Sequence, residues 1–149
     1  MIDLKLELQS DGTYDIVIGD DGNFESDEGL TTTVLTSIFT EARANEIEVA
    51  KPLARSGWMG NLNFPTQGRQ LGSLVWLTAS MRRTTENLNK AIDFFKKALN
   101  WLVEDGIAEN ILVTGSLRSS GADILITVRP FKEEPITIYT KLWENTING

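Results

Sequence analysis

The chain has 149 residues, 41% hydrophobic and 23% charged, the make-up of one globular domain over 1–149 that can bury a core without disulfides or metals. Its formal charge is −7, and no cationic run exceeds the pairs Arg82-Arg83 and Lys96-Lys97, so the electrostatic footprint of a nucleic-acid binder is missing. Cysteine and histidine are absent, which removes thiolate nucleophiles, Ser-His triads, imidazole bases and nearly all zinc and redox-metal sites; no cofactor is expected.

Residues 3–8 alternate, Asp11-Gly12 supplies turn chemistry, and Tyr14, Ile16 and Ile18 resume the period of two. This predicts an opening β-hairpin with Leu4, Leu6 and Leu8 on its inner face. That alternation is unlike a signal peptide, and no segment approaches the ~20 apolar residues of a membrane span, so folding in a cytoplasm without a membrane partner is expected. After Asp20-Asp21-Gly22-Asn23, the residues Leu30, Val34, Leu35, Ile38, Phe39 and Ala42 recur at helical spacing, predicting a helix over 30–45 capped by Thr31 or Thr32. From Ala50 to Gly72 no period persists, but Pro52, Pro65 and four glycines mark one long irregular segment, and long ordered loops in compact domains are usually functional. A short apolar helix around Leu74, Val75, Leu77 and Met81 follows. A longer one starts at Thr84 or Thr85 and carries Leu88, Ala91, Ile92, Phe95, Ala98, Leu99 and Leu102 on one face, with Gly106 placed as a left-handed C-terminal cap. Strands are predicted at 110–115, 122–129 and 136–142, with Ser119-Ser120-Gly121 as a turn. The fold class is α+β: an N-terminal β-hairpin, three central helices with a long Gly/Pro-containing loop, and a C-terminal antiparallel β-meander. The hydrophobic pattern runs nearly to the C-terminus, so both ends are expected to join one sheet.

Few residues offer chemistry. Asp20, Asp21, Glu25, Asp27 and Glu28 form the densest acidic stretch, and a carboxylate pair is what glycoside hydrolysis needs; acidic residues ahead of a helix also simply favour its positive end and solvate a turn. Asp21, Asn23 and Glu25 have the alternate spacing of calcium ligands but lack the glycine and distal glutamate of an EF-hand. Glycines 57, 60, 68 and 72 match no phosphate-cradling motif. Arg55-Ser56-Gly57-Trp58-Met59-Gly60 is more telling: a tryptophan between loop glycines either plugs the core or anchors an interface, for which Trp and Arg are favoured. Trp76 and Trp101, on helices, are expected in the core. The strand from Ile136 to Trp143 is either an ordinary terminal strand or a sheet edge open to a strand from another chain. The candidate partner contacts are therefore Arg55, Trp58 and Met59 in the loop and Ile136, Ile138 and Tyr139 on the last strand.

Three segments together resemble a family of small baseplate proteins from Mu-like contractile-tailed phages: Gly29-Leu30 through Ser37-Ile38-Phe39-Thr40 with Arg43-Ala44, Arg55 to Gly60, and Gly72-Ser73-Leu74-Val75-Trp76. Ala98 to Gly106 adds a fourth, so the likeness spans roughly residues 3 to 130. Met59 stands where the family usually has a second Trp. The resemblance implies a non-enzymatic subunit of the baseplate wedge in the virion tail, present in multiple copies. Its implied partners are other wedge and hub proteins and the tail sheath, whose strands would augment its sheet. Some of the wider class are labelled lysozyme-like, which makes peptidoglycan cleavage by the acidic residues near 20–28 the alternative.

Overall fold

The computed structural model describes residues 3–27, 30–45, 47–49, 55–63 and 70–144. The predicted positions Glu28, Pro52, Pro65 and Gly68 lie outside them.

The opening hairpin is present, and a second arm extends it. Strands β1 (Asp3–Leu4) and β4 (Ser26–Asp27) pair antiparallel, as do β2 (Leu6–Leu8) and β3 (Tyr14–Ile16), with Leu6 opposite Ile16 and Leu8 opposite Tyr14. A third ladder is the single bridge between Ile18 and Phe24. The ladders meet in a closed ring of backbone hydrogen bonds: Lys5 N donates to Glu25 O (2.9 Å), Glu25 N to Val17 O (2.9 Å), and Val17 N to Lys5 O (3.1 Å). A Lys5–Glu25 ion pair of 2.7 Å lies at the same junction. Of the expected inner face only Leu6 packs against the core, joined there by Tyr14 of the second strand; Leu4 and Leu8 are exposed.

Helix α1 (Thr31–Phe39) is shorter than the spacing predicts, and its N-cap is Leu30 with no side-chain cap. Thr32 instead donates its hydroxyl to Leu4 O, tying the helix to the N-terminal strands. At Thr40 the backbone turns extended, because residues 40–44 pair with two other segments. The second predicted helix is a 3₁₀ turn, Val75–Ser80, and an unforeseen 3₁₀ turn occupies Met59–Asn63.

Helix α2 (Thr85–Glu104) begins where Thr84 accepts a hydrogen bond from Asn87 N at 3.1 Å. It ends in a Schellman motif: Gly106 has φ +69°, Gly106 N donates to Val103 O (3.0 Å), and Ile107 N to Leu102 O (2.9 Å). Strands β5 (Ala108–Arg118), β6 (Gly121–Pro130) and β7 (Ile136–Leu142) form the antiparallel meander in the order β5-β6-β7. Helix α2 lies on this sheet over β5, and Gly115 sits in the contact: a Cβ there would stand 2.9 Å from Ile124 Cδ1 and 3.0 Å from Leu88 Cδ1. The core joins Val34, Leu35 and Ile38 of α1, Leu88, Phe95, Leu99 and Leu102 of α2, and Val113, Ile124, Ile126, Val128 and Ile138 of the sheet.

The two ends do not share a sheet. Among the described residues the N-terminal strands pair only with one another, and a cleft of about 610 Å³ separates the hairpin tip from β7.

Candidate partner-binding surfaces

Three stretches, residues 40–44, 55–61 and 71–76, are stitched into one unit by polar bonds. Ser73 N donates to Thr40 O (2.8 Å) and Ala42 N to Ser73 O (2.9 Å), while Ser73 Oγ donates to Ile38 O at the helix end (2.6 Å). Ala44 N donates to Arg55 O (2.9 Å), and Arg55 Nε donates to Ala44 O (2.7 Å). The Ser56 hydroxyl bonds to Glu41 Oε2, and Asn61 grips the Leu71 backbone twice, at 2.9 and 2.8 Å. Trp76 Nε1 closes the unit on Ala42 O at 2.9 Å.

Glycine is required where these backbones touch. Gly57 (φ +118°) passes Arg43 so closely that a Cβ would lie 2.7 Å from Arg43 Cβ, and at Gly72 (φ +115°) it would lie 2.6 Å from Thr40 O. At Gly60 a Cβ would clash with Cη2, Cζ2 and Cζ3 of the six-membered ring of Trp58. The indole of Trp58 therefore rests on the Gly60 backbone rather than plugging the core, and 47% of Trp58 and 80% of Met59 remain exposed. The unit presents these two side chains from a rigid base, while Arg55 is half-buried and turned into its own backbone contacts.

Strand β7 is an edge: among the described residues it pairs only with β6. Across the cleft from it stand Leu8, Gln9, Asp11 and Thr13. The side chains divide by face. Ile138 is 2% exposed and packs in the core, so it brings an edge its backbone alone, while Ile136 is half-buried against that core. That follows from the period of two, which puts Ile136 and Ile138 inward and Tyr139 outward. Tyr139 is 43% exposed and donates to Asp123 Oδ1 at 2.6 Å. Arg118 Nε lies 2.8 Å from the same oxygen, an ion pair out of line for a hydrogen bond. The bond to Asp123 holds the Tyr139 phenol above its ordinary pKa.

The acidic stretch is built as turn chemistry. Asp21 accepts from the Asn23 backbone and side-chain amide, both at 3.0 Å, and these bonds hold its carboxyl below the usual range, opposite to what a general acid needs. Glu25 is paired with Lys5, and among the described residues no three carboxylates converge on a metal position.

Sequence reasoning missed two residues. Trp143, at φ +57°, is buried and donates Nε1 to Thr78 O at 2.7 Å, locking the end of β7 onto the 3₁₀ turn. Asn61 links the two loop strands; its only sequence signal is its place between the Gly-Trp run and Gly72. Trp76 and Trp101 are half-buried, Trp101 packing against the core with its Nε1 3.3 Å from Ser37 Oγ.

A family model described as phage protein GP46 matches residues 30–134, which takes in α1, the stitched unit, α2 and the first two strands of the meander. The chain is 31% identical over 116 residues to the Mu-like prophage FluMu protein gp46 of Haemophilus influenzae, covering 78% of this chain and 77% of that protein. It is 32% identical over 83 residues to the baseplate protein gp46 of Escherichia phage Mu, covering 54% of this chain and 55% of that protein. With the matched region holding both the core helices and the glycine-dependent unit around Trp58, the chain belongs to the phage protein GP46 family, among Mu-like baseplate proteins.

Proposed function

We propose that this chain is a structural subunit of a contractile tail baseplate, in its wedge, and that it works by protein contacts and without catalysis. Multiple copies, assembled in the host cytoplasm, join neighbouring wedge or hub proteins through the Trp58–Met59 unit and the first sheath ring through β7. The open β7 edge carries this reading: a strand laid against it would complete the ladder, as β-augmentation does elsewhere. The adjoining cleft gives that strand room, and the exposed Tyr139 and Lys141 give it side-chain contacts. The family relationship supports the baseplate setting. The hydrolase alternative gains no observation, since Asp20 and Asp21 lie open on a turn and Glu25 is tied to Lys5.

The test places a photo-crosslinking amino acid at Tyr139 and, separately, at Met59 in the assembled tail, with the captured protein identified by mass spectrometry. Tyr139 should capture the sheath subunit and Met59 a wedge or hub protein. Tails in which Tyr139 captures no sheath subunit would rule out strand augmentation there.

A further inference from the structure

The arm over residues 17–25 projects from the three-way junction without packing on the core. Ile18 and Phe24 face each other across it, 64% and 61% exposed, and neither belongs to the core cluster. Its shape is nonetheless fixed locally. The backbone ring at Lys5, Val17 and Glu25 closes its base, Gly19 N donates to Asn23 O at 2.8 Å, and the Asp21–Asn23 bonds set its tip. Two large apolar side chains held side by side in water on a preformed arm are the anatomy of an anchor that fills a recess elsewhere.

The charge around the arm selects what supplies that recess. Nine of the 21 carboxylates but only one of the 14 cations lie in residues 1–28, so that segment carries −8 and the remainder of the chain +1. Nucleic acid and anionic lipid would be repelled. A second copy of this chain, at −7 overall, would be repelled at long range, and its 13 cations outside residues 1–28 are offset by 12 carboxylates. A protein surface in which lysine or arginine rings an apolar recess complements both features, the acidic rim steering the encounter and the Ile18–Phe24 pair holding it.

We infer that the 17–25 arm is a docking site for such a basic protein surface, separate from the β7 edge. The tail-assembly part of the test rests on the baseplate reading, so a second measurement stands apart from it. One variant removes charge and spares Asp21, both of whose oxygens accept from Asn23: Asp11→Asn, Asp15→Asn and Asp20→Asn together, each asparagine keeping one side-chain oxygen as an acceptor. The other removes the apolar pair, Ile18→Ser with Phe24→Ser. Both should melt close to the parent chain, because the substituted side chains are exposed. An alternating Lys-Val dodecapeptide should bind the parent chain about tenfold more tightly than a Glu-Val dodecapeptide, weaken with added salt, and lose about tenfold with either variant. In cells lacking the native gene, both variants should enter purified tails about tenfold less than the parent chain. Equal binding of the two peptides, or peptide binding unchanged by both variants, overturns the proposal, and wild-type incorporation of both variants overturns it as well. Loss confined to the Ile18–Phe24 variant overturns the basic character of the partner. Tails that lack even the parent chain would sink the baseplate reading, while the peptide measurement would still decide the arm.

Discussion

Replacing Gly72 with alanine tests whether the unit beneath Trp58 is held by backbone contact. Gly72 has φ +115°, and an added Cβ would stand 2.6 Å from Thr40 O and 2.9 Å from Ala42 N. Those atoms have little freedom, since Ser73 N donates to Thr40 O and Ala42 N donates to Ser73 O. The backbone conformation itself costs an L-residue about 1–2 kcal/mol. Forcing the two backbones apart adds about 1–3 kcal/mol, by analogy with overpacked cores. The sum is about 2–5 kcal/mol, a fall in Tm of roughly 5–20 °C for a chain of this length. Gly22→Ala is the control: φ is +78° but nothing lies within 4 Å of its Cβ, so about 1 kcal/mol of conformational cost remains. Urea unfolding followed by far-UV circular dichroism measures both, read from the midpoints at unchanged m. If Gly72→Ala falls within about 0.5 kcal/mol of Gly22→Ala, the close approach of residues 40–42 to Gly72 is not what requires the glycine.

Phe95 is buried at the centre of the core, so Phe95→Ala should cost about 3–5 kcal/mol in the same urea assay, whereas Phe24→Ala on the projecting arm should stay within about 0.5 kcal/mol. Tyr139 should titrate above 10.0 by phenolate absorbance, with Tyr139→Phe assigning its signal against Tyr14, and Asp123→Asn should bring it back toward 10.0. The sign follows from the raised folded pKa: the hydrogen bond contributes fully below the unfolded value near 10 and fades as pH rises through the folded one. A Tyr139 titration unmoved by Asp123→Asn would show that the bond does not set it.

The hairpin, the long amphipathic helix with its threonine and glycine caps, and the C-terminal meander were legible because each is specified by residues near one another in the chain. Helix α2 starts and ends within a residue of where Thr84 and Gly106 place it. Helix α1 was overextended because Ala42 fits the helical period, yet its backbone bonds to Ser73, about thirty residues away, and no local pattern records that bond. The second arm has a related cause: Ile18 reads as the end of the hairpin pattern, which breaks at Asp20-Asp21-Gly22-Asn23, and only the Lys5–Val17–Glu25 ring brings Phe24 back opposite it.

For the partner surfaces the division is similar. The alternation through Ile136 and Ile138 could say that one face of the last strand is buried, and the glycines around Trp58 could say that the loop has an unusual backbone. Whether β7 is an edge, whether Trp58 looks inward or outward, and which glycines are sterically required depend on what the chain brings alongside from far away: β6 on one side only, the Gly60 backbone under the indole, Arg43 and Thr40 against Gly57 and Gly72. Sequence by itself determined the hairpin, the long helix, the meander and the family, because periodicity, caps and motifs are local and additive. Tertiary structure alone decided which surfaces are left open, because exposure is set by every neighbour a residue acquires on folding.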